Sequence, residues 1–413
     1  MSSPNAVVFS PRKVSVICWL MLLLMPIVGM AVDLFAPSLP AIAKDLSVSN
    51  GLVQDLISVY LLGYALGNFM TGFLTDAWGR KLLFRMSLIG FVIVTVIPPL
   101  YPHIAVLLVM RVLQGLFLGV MVVVIRAIFS DILSSEALVK QGTWIGTMWG
   151  LGPVLGPVIG GYLQFYSGWH ACFYFMALLG VLALLGVLVV VPETSTKRHS
   201  LDFSTMSRNV KQALTHRAFM GITLIMGMVY SLLITFQTSG PFLIQNVLGY
   251  SPLFFGHLAL GLGILFLFAT FVCRFLLKKY EVDQLLWGML RIFTAVALLS
   301  LLVTLFAPKA IWLIVVSNLA MFFTCGFVFP LSMGKGLRLS KQMSAVSIAL
   351  MYLINIGITS LVSFVLSLFQ TRSALLLTSV DFVLLLLALI LYWTMVRVPA
   401  NTHHKGKNCG KMS

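Results

Sequence analysis

Gly72-Phe73-Leu74-Thr75-Asp76-Ala77-Trp78-Gly79-Arg80-Lys81 decides the fold of this chain, because it is a short polar turn between two long apolar segments. Gly72 lets a neighbouring helix approach closely, and Gly79 permits a tight reversal. Asp76 can accept hydrogen bonds from helix-end amides, which are locally positive. Arg80 and Lys81 place positive charge on one side of the turn.

Working outward, the same pattern repeats along the chain. It is 60% hydrophobic and only 9% charged, against roughly 25% charged in a soluble domain. A chain this apolar has lipid as its solvent. Twelve stretches are long enough to cross about 30 Å of hydrocarbon. They lie near 14–36, 51–74, 82–100, 104–128, 142–165, 171–191, 218–238, 253–275, 284–306, 311–332, 344–369 and 374–396. The first is too long for the apolar core of a signal peptide and has no small-residue cleavage site after it, so it is expected to remain as a helix.

The net charge of +16 comes from 27 basic and 11 acidic residues. With the N-terminus inside, 22 of the 27 basic residues fall on the inner side. Lys44, Lys309 and Arg372 fall outside, while Arg111 and Arg291 lie within spans. This is the positive-inside distribution. The basic excess encodes topology, with both termini cytoplasmic, and no nucleic-acid partner is expected.

The longest polar interruption, 192–217, divides the spans six and six. The expected organisation is a six-helix bundle over 1–191, a linker over 192–217, a second bundle over 218–396 and a basic tail over 397–413. Two such bundles place a binding site between them near the midplane. Leu201 to Leu214 reads equally well as a surface amphipathic helix or a plain linker. Five cysteines without metal-ligand spacing read as buried free thiols, apart from Cys409 in the tail. No metal site is expected; binding by His403 and His404 of the tail is the weaker reading. No nucleophile–base pair or phosphate-binding loop suggests an enzyme or direct ATP drive.

Two charged residues sit well inside apolar spans of the first half, away from their ends. Asp33 lies about one turn below the outer end of span 1, and Arg111 about two turns below that of span 4. An intramembrane charge is a functional candidate with a partner to be named; each is the other's natural partner, and a static structural pair is the alternative. Burial and a nearby guanidinium act oppositely on a carboxylate, which leaves it poised to exchange a proton. Asp381 in span 12 reads as an interfacial or bundle-facing acid, Arg291 as snorkelling, and His257 as interfacial. In span 5, Gly152, Gly156 and Gly160 form one smooth stripe, while Pro153 and Pro157 interrupt the backbone ladder and Gly161 follows. Candidates for the cavity wall are Tyr60, Tyr64, Asn68, Gln114, Trp144, Met148, Tyr230, Gln237, Asn318, Phe322 and Asn355. An apolar pocket with few polar anchors suits amphipathic organic cargo, and the 21 methionines offer adaptable surface.

Three signatures in order carry a resemblance: Gly72 to Lys81, then Arg111-Val112-Leu113-Gln114-Gly115, then Gly152-Pro153-Val154-Leu155-Gly156-Pro157-Val158-Ile159-Gly160-Gly161. Together they resemble the major facilitator superfamily of secondary transporters, and the third resembles its antiporter motif. Asp33-Leu34-Phe35-Ala36-Pro37-Ser38-Leu39-Pro40, Leu62-Gly63-Tyr64-Ala65-Leu66-Gly67-Asn68, Arg126-Ala127-Ile128-Phe129-Ser130-Asp131 and Gly168-Trp169-His170 are similar to the bicyclomycin/chloramphenicol-resistance branch. The chain departs from that branch at Asn68, where glutamine is commoner, and at Leu82, where proline is usual. Met25 stands where some drug exporters carry a second acid.

The resemblance implies an all-α polytopic membrane protein with the major facilitator fold, twelve helices in two bundles. It implies a monomeric, proton-driven exporter of small organic molecules in a bacterial-type inner membrane. The partners are cargo, protons and lipid, with no cofactor. The loop Gly72, Asp76, Gly79, Arg80 and Lys81 would latch the two halves. The span 5 motif would face the second half, and Asp33 with Arg111 would couple protons. A dedicated exporter of one metabolite or siderophore shares all these motifs. A non-transporting receptor on the same scaffold is the reading from another class.

Overall fold

A computed structural model describes residues 9–195, 203–308, 310–340 and 345–397 of the chain. Among these residues there are long helices and no strands. The reason is physical: backbone groups in hydrocarbon must be satisfied within the segment, and a helix does this without a partner.

The first half contains α1 (Pro11–Asp33), α2 (Leu39–Asp45), α3 (Asn50–Trp78), α4 (Arg80–Leu100), α5 (Ile104–Ile132), α6 (Ser135–Ser167) and α7 (Trp169–Val190). The connecting helix α8 (Phe203–Thr215) leads to α9 (Arg217–Pro241), α10 (Pro252–Leu276), α11 (Val282–Phe306), α12 (Ile311–Ser340), α13 (Ala345–Ser367) and α14 (Leu375–Leu391). Eleven spans among the described residues are long and apolar enough to cross a membrane. The twelfth long helix, α6, falls below that hydropathy because glycine and polar residues fill it. It is nevertheless packed between α1 and α10.

The first span is longer than expected. It continues from Pro11 to Asp45 through a 3-10 turn at Ala36–Ser38. Prolines at 37 and 40 remove helix donors at this point. Asp33 therefore lies at a break within the span rather than one turn from its end. Twelve residues separate it from Asp45, or roughly 18 Å of helix.

Each half has its own apolar core, centred on residues such as Phe84, Phe129 and Phe173 in the first and Phe236, Phe255 and Phe327 in the second. The linker contains helix α8, which packs on the second bundle. Ala213 is fully buried with Phe219, Met226, Leu350 and Met351, while Arg208, Lys211 and Leu214 are exposed. Cys172, Cys273 and Cys325 are buried free thiols, and Cys18 is half-buried. The tail, with His403, His404 and Cys409, lies outside the described residues.

The two halves meet along two seams, α3 with α13 and α6 with α10. On the face bearing Asp45, hydrogen bonds join the halves. Ser58 donates to the Ser363 hydroxyl at 2.9 Å, and Thr238 shares that hydroxyl at 3.0 Å. Gln245, in the π-helical turn Phe242–Val247, donates to the Pro37 carbonyl at 2.9 Å. The Asp45 face is thus closed around the axis between the halves.

Candidate functional site

Asp33 is 5% exposed and, among the described residues, has neither an ion pair nor a hydrogen bond. Its neighbours explain its position. A Cβ added at Gly156 would lie 3.1 Å from the Asp33 Cβ, so α6 presents bare backbone to the acid. Gly152 meets the backbone of Gly29 and Met30, and Gly160 meets the Leu34 carbonyl. The stripe Gly152, Gly156, Gly160 therefore seats α1 within its own half. The expectation that the span 5 motif faces the second half holds for its other residues. On the neighbouring face of α6, the Pro157 carbonyl touches Gly256, and Gly161 touches the Pro252 carbonyl. One short helix segment holds both the acid-bearing helix and the opposite bundle.

Arg111 does not pair with Asp33 in this structure. Its Nε donates to the Leu56 carbonyl at 3.2 Å, and Nη1 donates to the Ala31 carbonyl at 3.1 Å and Gln114 Oε1 at 3.2 Å. The guanidinium lies between the rings of Phe35 and Tyr60, 4.6 and 4.5 Å from their centroids. Among the described residues its Nη2 has no partner. The physical reason is helical direction. Residues two apart in a helix point to opposite sides, about 200° apart. The side of α1 that offers the Ala31 carbonyl to Arg111 is not the side on which Asp33 meets α6. Carbonyl oxygens and ring faces replace the carboxylate as partners of the buried cation.

Aromatic groups from both halves gather near Asp33. Tyr60 and Tyr64 stack at 6.3 Å, Trp149 meets Tyr230 at 6.0 Å, and Tyr230 meets Phe329 at 5.5 Å. Tyr230 is within electrostatic reach of Asp33, Tyr60 and Tyr64. Among the described residues, the Tyr60 hydroxyl, Gln237 Oε1 and Asn355 Oδ1 are buried without partners. These acceptors and rings, with one unpaired carboxyl, can hold an amphipathic molecule that donates hydrogen bonds.

Other expected wall residues are used differently. Gln114 is committed inside the first half, between Arg111 and the Thr95 hydroxyl at 3.1 Å. Trp144, on α6, is exposed. Met148 packs against the first core. Asn68 donates to the Tyr64 carbonyl at 3.1 Å, and Asn318 to the Ile314 carbonyl at 2.8 Å. Phe322 packs in the second core against Phe236. Trp149 and Phe329 were missed because bulky apolar residues abound in every span; the preceding positions gave no cue to which would face the axis. Asp381 is buried, with Oδ1 lacking a partner, so it faces the bundle rather than the interface. His257 is exposed and meets the Tyr162 hydroxyl at 3.3 Å across the α6–α10 seam. Arg291 lies over the Trp287 ring at 5.0 Å.

At the opposite face, Gly79 has φ 87° and links α3 directly to α4. The Asp76 side chain lies outside the described structure. The start of α4 is capped by a residue from the segment that follows α7. Glu193 accepts from the Arg80 amide at 3.1 Å and the Lys81 amide at 3.2 Å. A carboxylate there is favoured by the positive end of the helix. Arg80 also reaches Asp131 at 3.2 Å, and the Thr194 hydroxyl donates to the same carboxylate at 2.8 Å. Gly72 meets Ala349 of α13, with 3.3 Å to an added Cβ. Glu193→Ala should cost about 1 kcal/mol, the usual loss for a helix cap. Thermal unfolding in detergent checks this: an unchanged midpoint would remove the capping role.

The profile of the Major Facilitator Superfamily matches residues 21–358. The chain belongs to that superfamily. It is 28% identical over 313 residues to an uncharacterised transporter of this type, YdgK, from Bacillus subtilis, covering 74% of this chain and 77% of that protein. It is 29% identical over 271 residues to a bicyclomycin resistance protein homolog from Haemophilus influenzae, covering 65% and 67%. Over 219 residues it is 30% identical to the multidrug resistance protein MdtL of Escherichia coli O157:H7, covering 53% and 56%. Among solved structures, a D-xylose–proton symporter matches 93% of this chain and 98% of its own, with TM-score 0.74 and 14% identity. That likeness establishes the fold. The protein is a multi-pass membrane transporter of this superfamily and not an enzyme.

Proposed function

We propose that this protein exports small amphipathic organic molecules, including drugs, in exchange for protons across a bacterial-type inner membrane. The observation that carries this reading is Asp33: a buried, unpaired carboxyl at a helix break, seated on the antiporter-like glycine stripe and within electrostatic reach of Tyr60 and Tyr230, one from each half. A proton and a donor-bearing cargo compete for such a group, and competition for one site is what exchange requires. The relatives named for bicyclomycin and multidrug resistance support an organic cargo. No cofactor is needed, since the proton gradient supplies the work.

The geometry supports the following cycle. With the Asp45 face closed, cargo enters the aromatic cluster from the Gly79 face. Rocking of the halves about the α3–α13 and α6–α10 seams then exposes it on the other side, where a proton displaces it. The Gly72–Lys81 turn, with Asp76, acts as the latch between the halves. Arg111 organises α1, α3 and α5 around the acid. The basic loops support an orientation with both termini in the cytoplasm, and the candidate site residues all belong to one chain, which supports a monomer.

Inverted membrane vesicles test both parts. Acidifying their interior should drive uptake from a panel of amphipathic antibiotics, and a protonophore should stop it. A tag at Cys409 should be cleavable in these vesicles and protected in right-side-out ones. Absence of gradient-driven uptake for the whole panel would overturn the export reading, and the opposite protection pattern would overturn the orientation.

A further inference from the structure

The Gly79 face carries a second charged network, in the other half. Asp283, in the first turn of α11, pairs with Lys335 of α12. The Tyr392 hydroxyl, where α14 ends, donates to Asp283 Oδ1 at 3.2 Å and to the Asp283 carbonyl at 3.0 Å. Lys335 Nζ also lies 5.8 Å from the centroid of the Tyr392 ring.

Counted within their halves, these helices correspond to the ones tied by Arg80, Asp131 and Thr194. Arg80 begins the third span, Asp131 closes the fourth and Thr194 follows the sixth. Asp283 begins the ninth, Lys335 nears the end of the tenth and Tyr392 lies at the end of the twelfth. The polarity is reversed: base on the third span and acid on the fourth in one half, acid then base in the other. The loop before Asp283, Arg274 to Glu281, keeps no Gly/Asp pattern like that of Gly72 to Lys81. The second network therefore rests on different residues.

We propose that Asp283, Lys335 and Tyr392 form a second clamp that holds the ends of spans 9, 10 and 12 as one unit while the second half rocks. This rests on the export reading above. The Asp283 side chain is 59% exposed, and exposed pairs contribute little to stability. Convergence of three helices on one carboxylate is better explained by positioning. α11 packs against both α12 and α14, so Asp283 sits where one group can link all three. A bundle whose ends splay loses part of each rigid-body movement. The cost falls on turnover rather than on cargo binding.

The test uses the full chain in inverted vesicles. Asp283→Asn, Lys335→Gln and Tyr392→Phe should each lower the maximal uptake rate, the two charge-removing changes by about fivefold or more. KM and dependence on the pH gradient should stay as in the parent. Asp283→Glu keeps the acid and should keep most of the rate. Joint reversal, Asp283→Lys with Lys335→Asp, should recover what either reversal alone loses. Parental rates in the single variants would overturn the clamp, as would Asp283→Glu being as slow as Asp283→Asn. Amide exchange in detergent gives a readout independent of transport: protection at 282–286 should fall in Asp283→Asn, and unchanged protection counts against the clamp. Failure of the export reading would show instead as no uptake by the parent protein.

Discussion

Asp33→Asn should reduce gradient-driven uptake in inverted vesicles to background. The substitution keeps shape and removes the only titrating group on α1 near the axis. Asparagine carries no charge at any working pH, so the variant cannot alternate between proton-bound and cargo-bound forms. Its residual transport should be flat with pH, while the parent should respond to the gradient. Asp33→Glu moves the carboxyl by one methylene and should retain part of the coupling. Full gradient-dependent transport by Asp33→Asn would end the assignment and turn attention to Asp381, which is also buried and has an unpartnered oxygen.

The second large effect is expected at the helix contact beneath that acid. Gly160→Leu should lower uptake about tenfold or more and destabilise the fold by roughly 1–3 kcal/mol, the cost of overfilling a packed contact. A Cβ at this position would overlap the Leu34 carbonyl, which is backbone and cannot rotate away. Either α1 shifts at its break, taking Asp33 with it, or α6 moves against α10. Both alter the geometry on which exchange depends. Gly261→Ala is the matched control, since nothing lies within 4 Å of its added Cβ. Transport and thermal stability measured together decide the matter. Parental transport by Gly160→Leu would show that close α1–α6 contact is dispensable.

The fold was legible because lipid imposes a simple code. Twelve apolar stretches and one-sided basic loops follow from hydration costs alone, and they predicted the helices to within a few residues at most ends. Where they fell short, the reason is local. Span 1 extends to Asp45 because Pro37 and Pro40 break the ladder without ending the span, and the sequence reads such prolines as a stop. The candidate site was only half legible. Asp33 and Arg111 stood out because charge in hydrocarbon is rare. Their relation did not, since depth along two helices says nothing of the direction each side chain faces.

The sequence by itself determined that this protein is a twelve-span membrane transporter, which residues carry charge into the bilayer, and where backbones approach closely. Those are properties of single residues and of period, fixed by transfer free energy and the missing Cβ of glycine. Only the tertiary structure decided that Asp33 rests on Gly156, that Arg111 is held by carbonyls and rings, and that Glu193 caps α4. It alone brought Asp283, Lys335 and Tyr392 to one point across 109 residues. Partner choice depends on helix rotation and on segments distant in the chain, and those are set by how all twelve helices pack at once.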